Sequence, residues 1–359
     1  MNTEQKTIYS LLEDEESRFI FENRLLHNES DDYLYIQRIV ERYIPKTSWQ
    51  KHTKMEGELI DSLKSKKNIW IWGAGVCCTK FLREIMIKYG IEGIKGIIDR
   101  NPAKKEVLGI SVCTVDKVDF KNIDCLVISM MESNTAHSCM DLAIAKGIDK
   151  NNIVMYRNYV YAGRVTLAEQ QYFEDFIQYE KGEVFIDAGV LDLYTSLRFV
   201  EECKKRHIED YKIYAFEPDE RSYDRCLSIK KKHPEIDITL VNKGLWSCDT
   251  TLHFQTTGGA DSKIAKEGIG QIAVVSLDSF IKEKVTFIKM DIEGAELEAL
   301  KGCQDTIKKY RPKLAISVYH KKEDLIEIPT YIMNLVSDYH FYLRHYSSGF
   351  VETVLYALP

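Results

Sequence analysis

The sequence predicts an α/β protein built from two parallel-sheet domains behind a helical N-terminal segment. Three observations carry the prediction. At 359 residues the chain exceeds what one hydrophobic core usually organises, so two cores are expected. Short apolar runs alternate with helical patterns in two separate series, the signature of parallel strands joined by crossover helices. In each series the first apolar run ends in a glycine turn that opens a helix, at residues 73–75 and again at residues 187–189.

The elements follow in order. Residues 1–66 are rich in charged side chains, with apolar residues at helical spacing such as Ile8, Leu11 and Leu12, and read as a helical segment. Over 67–160 the runs NIWIWGAG, IKGIIDRNP and CLVISM alternate with helical stretches, giving the first sheet domain. A polar connector over 161–182 reads as helical. The second alternation fills 183–359, with strands expected at Val184–Ala188, Ile213–Phe216, Ile238–Val241, Phe287–Asp291 and Leu314–Val318. One long helix is expected over Ala295–Tyr310, and two closing strands at Phe341–His345 and Thr353–Leu358.

Composition narrows the function classes. A chain that is 45% hydrophobic and 29% charged is ordinary for a soluble globular protein. Its formal charge of −6 argues against a general polyanion binder, so no nucleic acid partner is expected. The nine cysteines are odd in number and include no C-x-x-C pair, which points to reduced, buried thiols and away from a disulfide framework or structural zinc. The start MNTEQKTIYSLLEDEESRF is acidic where a secretory signal is basic, and no segment reaches the ~20 apolar residues of a membrane span, so a cytoplasmic protein is expected.

The chemistry concentrates at strand ends of the second domain. Asp187 and Gly189 close the first strand, where open α/β sheets bind their ligands. Glu217, 30 residues on, closes the second, the place where a carboxylate grips ribose hydroxyls. Together they point to an adenosine-containing ligand. In FIKMDIEGAELEAL, Asp291 and Glu293 crowd one strand terminus, and two such carboxylates need a ligand, a cation or helix amides to stabilise them. His320 ends the fifth strand run on the same edge and can serve as general base. A carboxylate–imidazole metal site from Asp291, Glu293 and His320 is the alternative, and no metal is assigned. The glycines of GGADSK, residues 258–263, suit either a lid over substrate or a plain hairpin loop.

In the first domain, Gly73 and Gly75 follow a strand and precede a helix, and Asp99 closes the next strand at ribose-binding separation. Cys78 stands where the fingerprint's third glycine belongs, leaving it incomplete. The alternatives are a nucleotide-binding domain and a scaffold with an empty turn.

From about Glu183 to Pro359 the sequence resembles the FkbM-type class I methyltransferases, through FIDAG, YAFEPD, VNKGLWSCD, GGADS, VVSLDSF, IKMDIEGAELEALKG and PKLAISVYH in that order. The resemblance implies two Rossmann-like domains in all, the second with a seven-stranded sheet whose last strand is antiparallel. It also implies S-adenosylmethionine as methyl donor and a hydroxyl oxygen as acceptor, on a small molecule or a glycan. By the same resemblance Asp187 and Gly189 face the methionine part, Glu217 the ribose and Asn242 the adenine side, while Asp291 borders the transferring methyl. The chain departs from the family pattern D-x-G-x-x-x-G at Leu193, which occupies the second glycine position. That departure keeps open a second reading, a non-catalytic nucleotide-binding module with a degenerate methyltransferase domain. The segment 68–150 is similar to nucleotide-sugar-binding domains that accompany sugar-modifying transferases. A dehydrogenase built on it would need the complete fingerprint that is missing.

Overall fold

The structure is a computed structural model and describes residues 1–44, 53–100, 104–131, 133–162, 167, 169–255, 263–264 and 270–359. The chain divides into two compact units: an N-terminal one of residues 22–166 with 347–350, and a C-terminal one of residues 1–21 with 167–346 and 351–359. Among the described residues, no helix is long and apolar enough to cross a membrane. All nine cysteines are free thiols.

In the N-terminal unit the strands are β1 (Ile69–Trp72), β2 (Ile94–Ile98), β3 (Glu106–Val107), β4 (Ile110–Cys113), β5 (Cys125–Ile128) and β6 (Ile153–Met155), in the order β3-β4-β2-β1-β5-β6. All neighbours are parallel except the β3–β4 hairpin. Because side chains alternate along a strand, the sheet feeds two cores. Ile69, Ile71, Cys125 and Val127 pack on one face with Phe81 and Tyr156, while Trp72, Leu126 and Ile128 pack on the other with Phe120 and Cys139. The strand order reverses at β1 and β5, which places the carboxyl ends of those strands at the topological switch point.

The C-terminal unit holds β7 (Glu183–Ala188), β8 (Tyr211–Phe216), β9 (Ile238–Val241), β10 (Gly244–Leu245), β11 (Thr250–Gln255), β12 (Lys263–Ile264), β13 (Gly270–Val275), β14 (Phe287–Met290), β15 (Lys313–Ser317), β16 (His340–His345) and β17 (Thr353–Leu358). Its main sheet runs β16-β17-β15-β14-β7-β8-β9, with β17 antiparallel to both neighbours and the rest parallel. The seven strands and the antiparallel closing strand are those the sequence led us to expect. A small second sheet, β10-β13-β11-β12, occupies the insertion before β14.

One face of the main sheet buries an aromatic cluster. Phe185 of β7 stacks on Phe199 of the helix Tyr194–Lys205 with centroids 4.4 Å apart, and Phe287 of β14 closes on both. Burying each such ring stabilises the fold by about 1.5–3 kcal/mol. Phe199→Ala would cost about 3–5 kcal/mol.

Two expectations are corrected. Residues 169–182 form turns and extended chain with no helix, because Tyr172, Phe173 and Ile177 are buried in this core and packing overrides the local helical pattern. The helix expected over Ala295–Tyr310 is two helices, Glu296–Lys301 and Gln304–Tyr310. The break falls at Gly302, where an added Cβ would lie 1.9 Å from the Trp246 carbonyl oxygen, so the backbones touch and the chain must turn there.

Candidate active site

The topology collects the sequence-selected residues. With β15, β14, β7, β8 and β9 adjacent and parallel, their carboxyl ends bring His320, Asp291, Asp187, Glu217 and Asn242 to one sheet edge. GGADSK is mostly outside the described residues: 258–262 lie beyond them, and Lys263 begins β12.

The turn after β7 is held from both sides. Asp187 is fully buried: its Oδ2 accepts from Ser196 Oγ at 2.7 Å and its Oδ1 pairs with Lys289 Nζ at 3.0 Å. Lys289, itself buried in β14, also donates to the Ala188 and Gly189 carbonyls at 3.1 and 2.9 Å. Breaking such a buried pair costs about 3–5 kcal/mol. Asp187 therefore anchors the turn from beneath. Gly189 sits at φ 80°, and a Cβ there would lie 1.8 Å from the Asp291 carbonyl oxygen, so this position accepts glycine alone.

Leu193 takes the left-handed conformation, φ 61°, at the start of the helix Tyr194–Lys205, which explains why a glycine would suit the position. Its side chain is 0% exposed and belongs to the aromatic core, so it packs inward rather than filling the outer side of the turn.

Glu217 accepts from the Leu191 N–H at 2.9 Å and the Asp219 N–H at 3.0 Å. Burial holds its carboxyl above the usual range despite those two donors. Asn242 Nδ2 donates to the Glu217 carbonyl at 2.9 Å.

Beside this turn, Asp291 accepts from Tyr172 Oη at 2.7 Å and from Tyr319 Oη at 3.2 Å. Burial pushes its carboxyl upward, but His320, Lys289 and the two phenols outweigh it and the net shift is downward. His320 lies between carboxylates: Nε2 is 3.4 Å from Asp291 Oδ1 and 3.6 Å from Glu293 Oε2, and Nδ1 is 3.0 Å from Glu296 Oε1. These are ion-pair contacts, because neither ring nitrogen meets hydrogen-bond geometry. Burial opposes the imidazolium, yet Glu296, Asp291 and Glu293 together push the His320 pKa up to about 9. Asp291, Glu296 and His320 bring donor atoms within 4.8 Å of one another. The ring nitrogens, however, face different carboxylates, so the geometry is that of an imidazole bridging Glu296 to Asp291 and Glu293 rather than of ligands around one point.

In the N-terminal unit, Gly73 sits at φ 107° and Gly75 caps the helix Val76–Phe81. Asp99 Oδ2 accepts from the Ala74 N–H at 2.9 Å, so the acid is latched to the turn it was expected to serve.

Sequence reasoning missed Tyr172, Lys289, Glu296 and Tyr319. Only Glu296 left a trace, as the second glutamate of the D-x-E-x-x-E spacing from Asp291.

A parallel sheet in this order, with an antiparallel penultimate strand and acidic groups at successive carboxyl ends, defines the class I methyltransferase architecture. Residues 187–343 match the family described as the methyltransferase FkbM domain. The chain is similar to the hexuronic acid methyltransferase AglP of Haloferax volcanii, 29% identical over 102 residues, which is 26% of this chain and 42% of that protein. The match therefore spans less than half of the relative's length. Among solved structures, methyltransferase FkbM from Methylobacillus flagellatus KT is 19% identical with a TM-score of 0.49, covering 93% of this chain and all of that one. Aeropyrum pernix fibrillarin in complex with natively bound S-adenosyl-L-methionine is 11% identical with a TM-score of 0.33, covering 54% of this chain and 74% of that one.

Proposed function

We propose that the C-terminal unit transfers a methyl group from S-adenosylmethionine to a hydroxyl oxygen of a sugar, nucleotide sugar or glycan precursor. The observation that carries the reading is the pairing, on one sheet edge, of a ribose-type carboxylate at the end of β8 with a carboxylate–imidazole cluster at the ends of β14 and β15. The residues fit the donor. Glu217 keeps oxygen lone pairs for a diol, Gly189 keeps the turn low, Leu193 is withdrawn into the core, and Asn242 stands at the adenine end. Asp187 acts by holding that turn.

When bound, S-adenosylmethionine supplies an electrophilic methyl carbon whose bond to sulfur breaks as the bond to the acceptor oxygen forms. The protein must align that oxygen and take its proton. Asp291 borders the methyl, Glu293 reaches toward the acceptor, and His320 Nε2 receives the hydroxyl proton. His320 is charged below about pH 9, so it must first shed a proton, and turnover should rise with pH toward that value. The hexuronic acid methyltransferase named above supports a sugar acceptor, and the net charge of −6 favours a small acceptor over nucleic acid. We place the reaction in the cytoplasm, where nine free thiols are stable.

The N-terminal unit is proposed to bind a nucleotide at Gly73, Gly75 and Asp99, since an added Cβ at Gly75 meets no atom within 4 Å. The experiment that tests the main reading is calorimetric titration with S-adenosylhomocysteine. Micromolar binding, about −8 kcal/mol, is expected. No binding at millimolar ligand would instead establish the degenerate module.

A further inference from the structure

The imidazole of His320 has to be held in one orientation to work as a base, and two of its three carboxylate neighbours are unsuited to holding it. Asp291 already accepts from Tyr172 and Tyr319. Glu293 keeps 34% of its side chain exposed. Glu296 differs from both. It begins the helix Glu296–Lys301, is 0% exposed, and its Oε1 is fixed by accepting from the Ile292 N–H at 2.9 Å. Its Oε2 is buried with no hydrogen-bond partner. A buried carboxylate demands a cation or donor, and His320 Nδ1 lies 3.0 Å from its Oε1, on a ring that is itself only 9% exposed.

We propose that Glu296 is the positioning residue of this site: it holds the Nδ1–H of His320, fixes the tautomer, and keeps Nε2 aimed between Asp291 and Glu293. The logic is that of a carboxylate orienting a catalytic imidazole, and it rests on the methyltransferase reading with His320 as base. Loose alignment in a ligand-free site is the usual state of such contacts, which tighten when substrate binds. Every charge that faces the ring enters the balance: Asp291 from the end of β14, Glu293 and Glu296 from the following segment, and Asp324 with Lys321 from the segment after β15. Tyr319 lies against the imidazole with ring centroids 4.1 Å apart and blocks rotation on that side.

The test combines nitrogen-15 NMR of the His320 ring with S-adenosylhomocysteine titration, on the full chain and on Glu296→Gln and Glu296→Asp. In the wild-type protein above the ring's midpoint, the neutral imidazole should carry its proton on Nδ1; a proton on Nε2 would overturn the proposal without any variant. In Glu296→Gln the ring midpoint should fall, the turnover number should drop roughly 10²-fold, and its rising pH limb should move down with the ring. Glu296→Asp should restore part of both. Affinity for S-adenosylhomocysteine should stay within about twofold of wild type. A loss of turnover with an unmoved limb, or one that tracks lost donor affinity, would make Glu296 merely structural and sink the inference. Recovery of Glu296→Gln by added Mn²⁺, or loss of wild-type turnover on chelation, would also sink it. A wild-type protein that binds no S-adenosylhomocysteine removes the methyltransferase reading and this one with it, whereas binding with the Nε2 tautomer removes this one alone.

Discussion

The two units solve the same geometric problem in the same way and then part. After β1, the Ala74 N–H donates to Asp99 at the end of β2; after β7, the Leu191 N–H donates to Glu217 at the end of β8. Each unit thus ties its first turn to an acid on the neighbouring strand. The difference lies one strand further on. Past β5 the described residues Ser129–Met131 bring a hydroxyl that donates to the Trp72 and Gly73 carbonyls and two methionines, with no ionisable side chain. Past β14 and β15 the chain places Asp291, Glu293, Glu296 and His320 together. The shared turn is what the fold provides for a ligand, and among the described residues the carboxylate–imidazole cluster is what the C-terminal unit adds to it.

Substitutions can sharpen that contrast. The largest effect is expected from Asp291→Ala, which should lower turnover by at least roughly 10³-fold and weaken donor binding, since it removes the acceptor of two phenols and a counter-charge 3.4 Å from His320. Steady-state kinetics with titration of S-adenosylhomocysteine measures both. His320→Ala should spare that affinity while turnover falls about 10²–10⁴-fold, and the rising limb of the wild-type pH profile should vanish; retained turnover would remove His320 as the base. Lys289→Ala should lower stability by about 3–5 kcal/mol in denaturant melts, because Asp187 is left buried without its cation. Glu217→Ala should weaken S-adenosylhomocysteine by about 1.5–3 kcal/mol, whereas Asp99→Ala, its counterpart, should leave that affinity unchanged. Equal losses from the last two would break the comparison.

Stability should carry a pH signature as well. A histidine raised from 6.5 to about 9 on folding stabilises the protein fully below pH 6.5 and loses that contribution as pH climbs through 9. Melts of wild type and His320→Ala should therefore converge on the alkaline side.

The strands and the carboxylates at their ends were readable because each is a local pattern: an apolar run, a glycine, an acid. What escaped was decided across the sheet. Lys289 sits within the apolar run FIKM, and nothing local shows that its ammonium neutralises Asp187, 102 residues earlier. Tyr172 belongs to a stretch whose pattern suggests helix, yet burial of its neighbours unwinds the segment and carries the phenol to Asp291, 119 residues ahead. Glu296 looked like an ordinary first-turn acid, favourable to the helix dipole. Its contact with His320 exists because β14 and β15 are adjacent and parallel. The break at Gly302 was invisible for the same reason, its cause being the Trp246 carbonyl from a distant loop.

The close approach of Gly189 to the Asp291 backbone bears on how such a protein can be rebuilt. The turn after β7 and the cluster at the end of β14 share one backbone contact with no room for even a methyl group between them. Chimeras of this fold must therefore inherit β7 and β14 from the same parent. Crossovers are better placed before β7 or after β15, so that the turn and the cluster are inherited as one block.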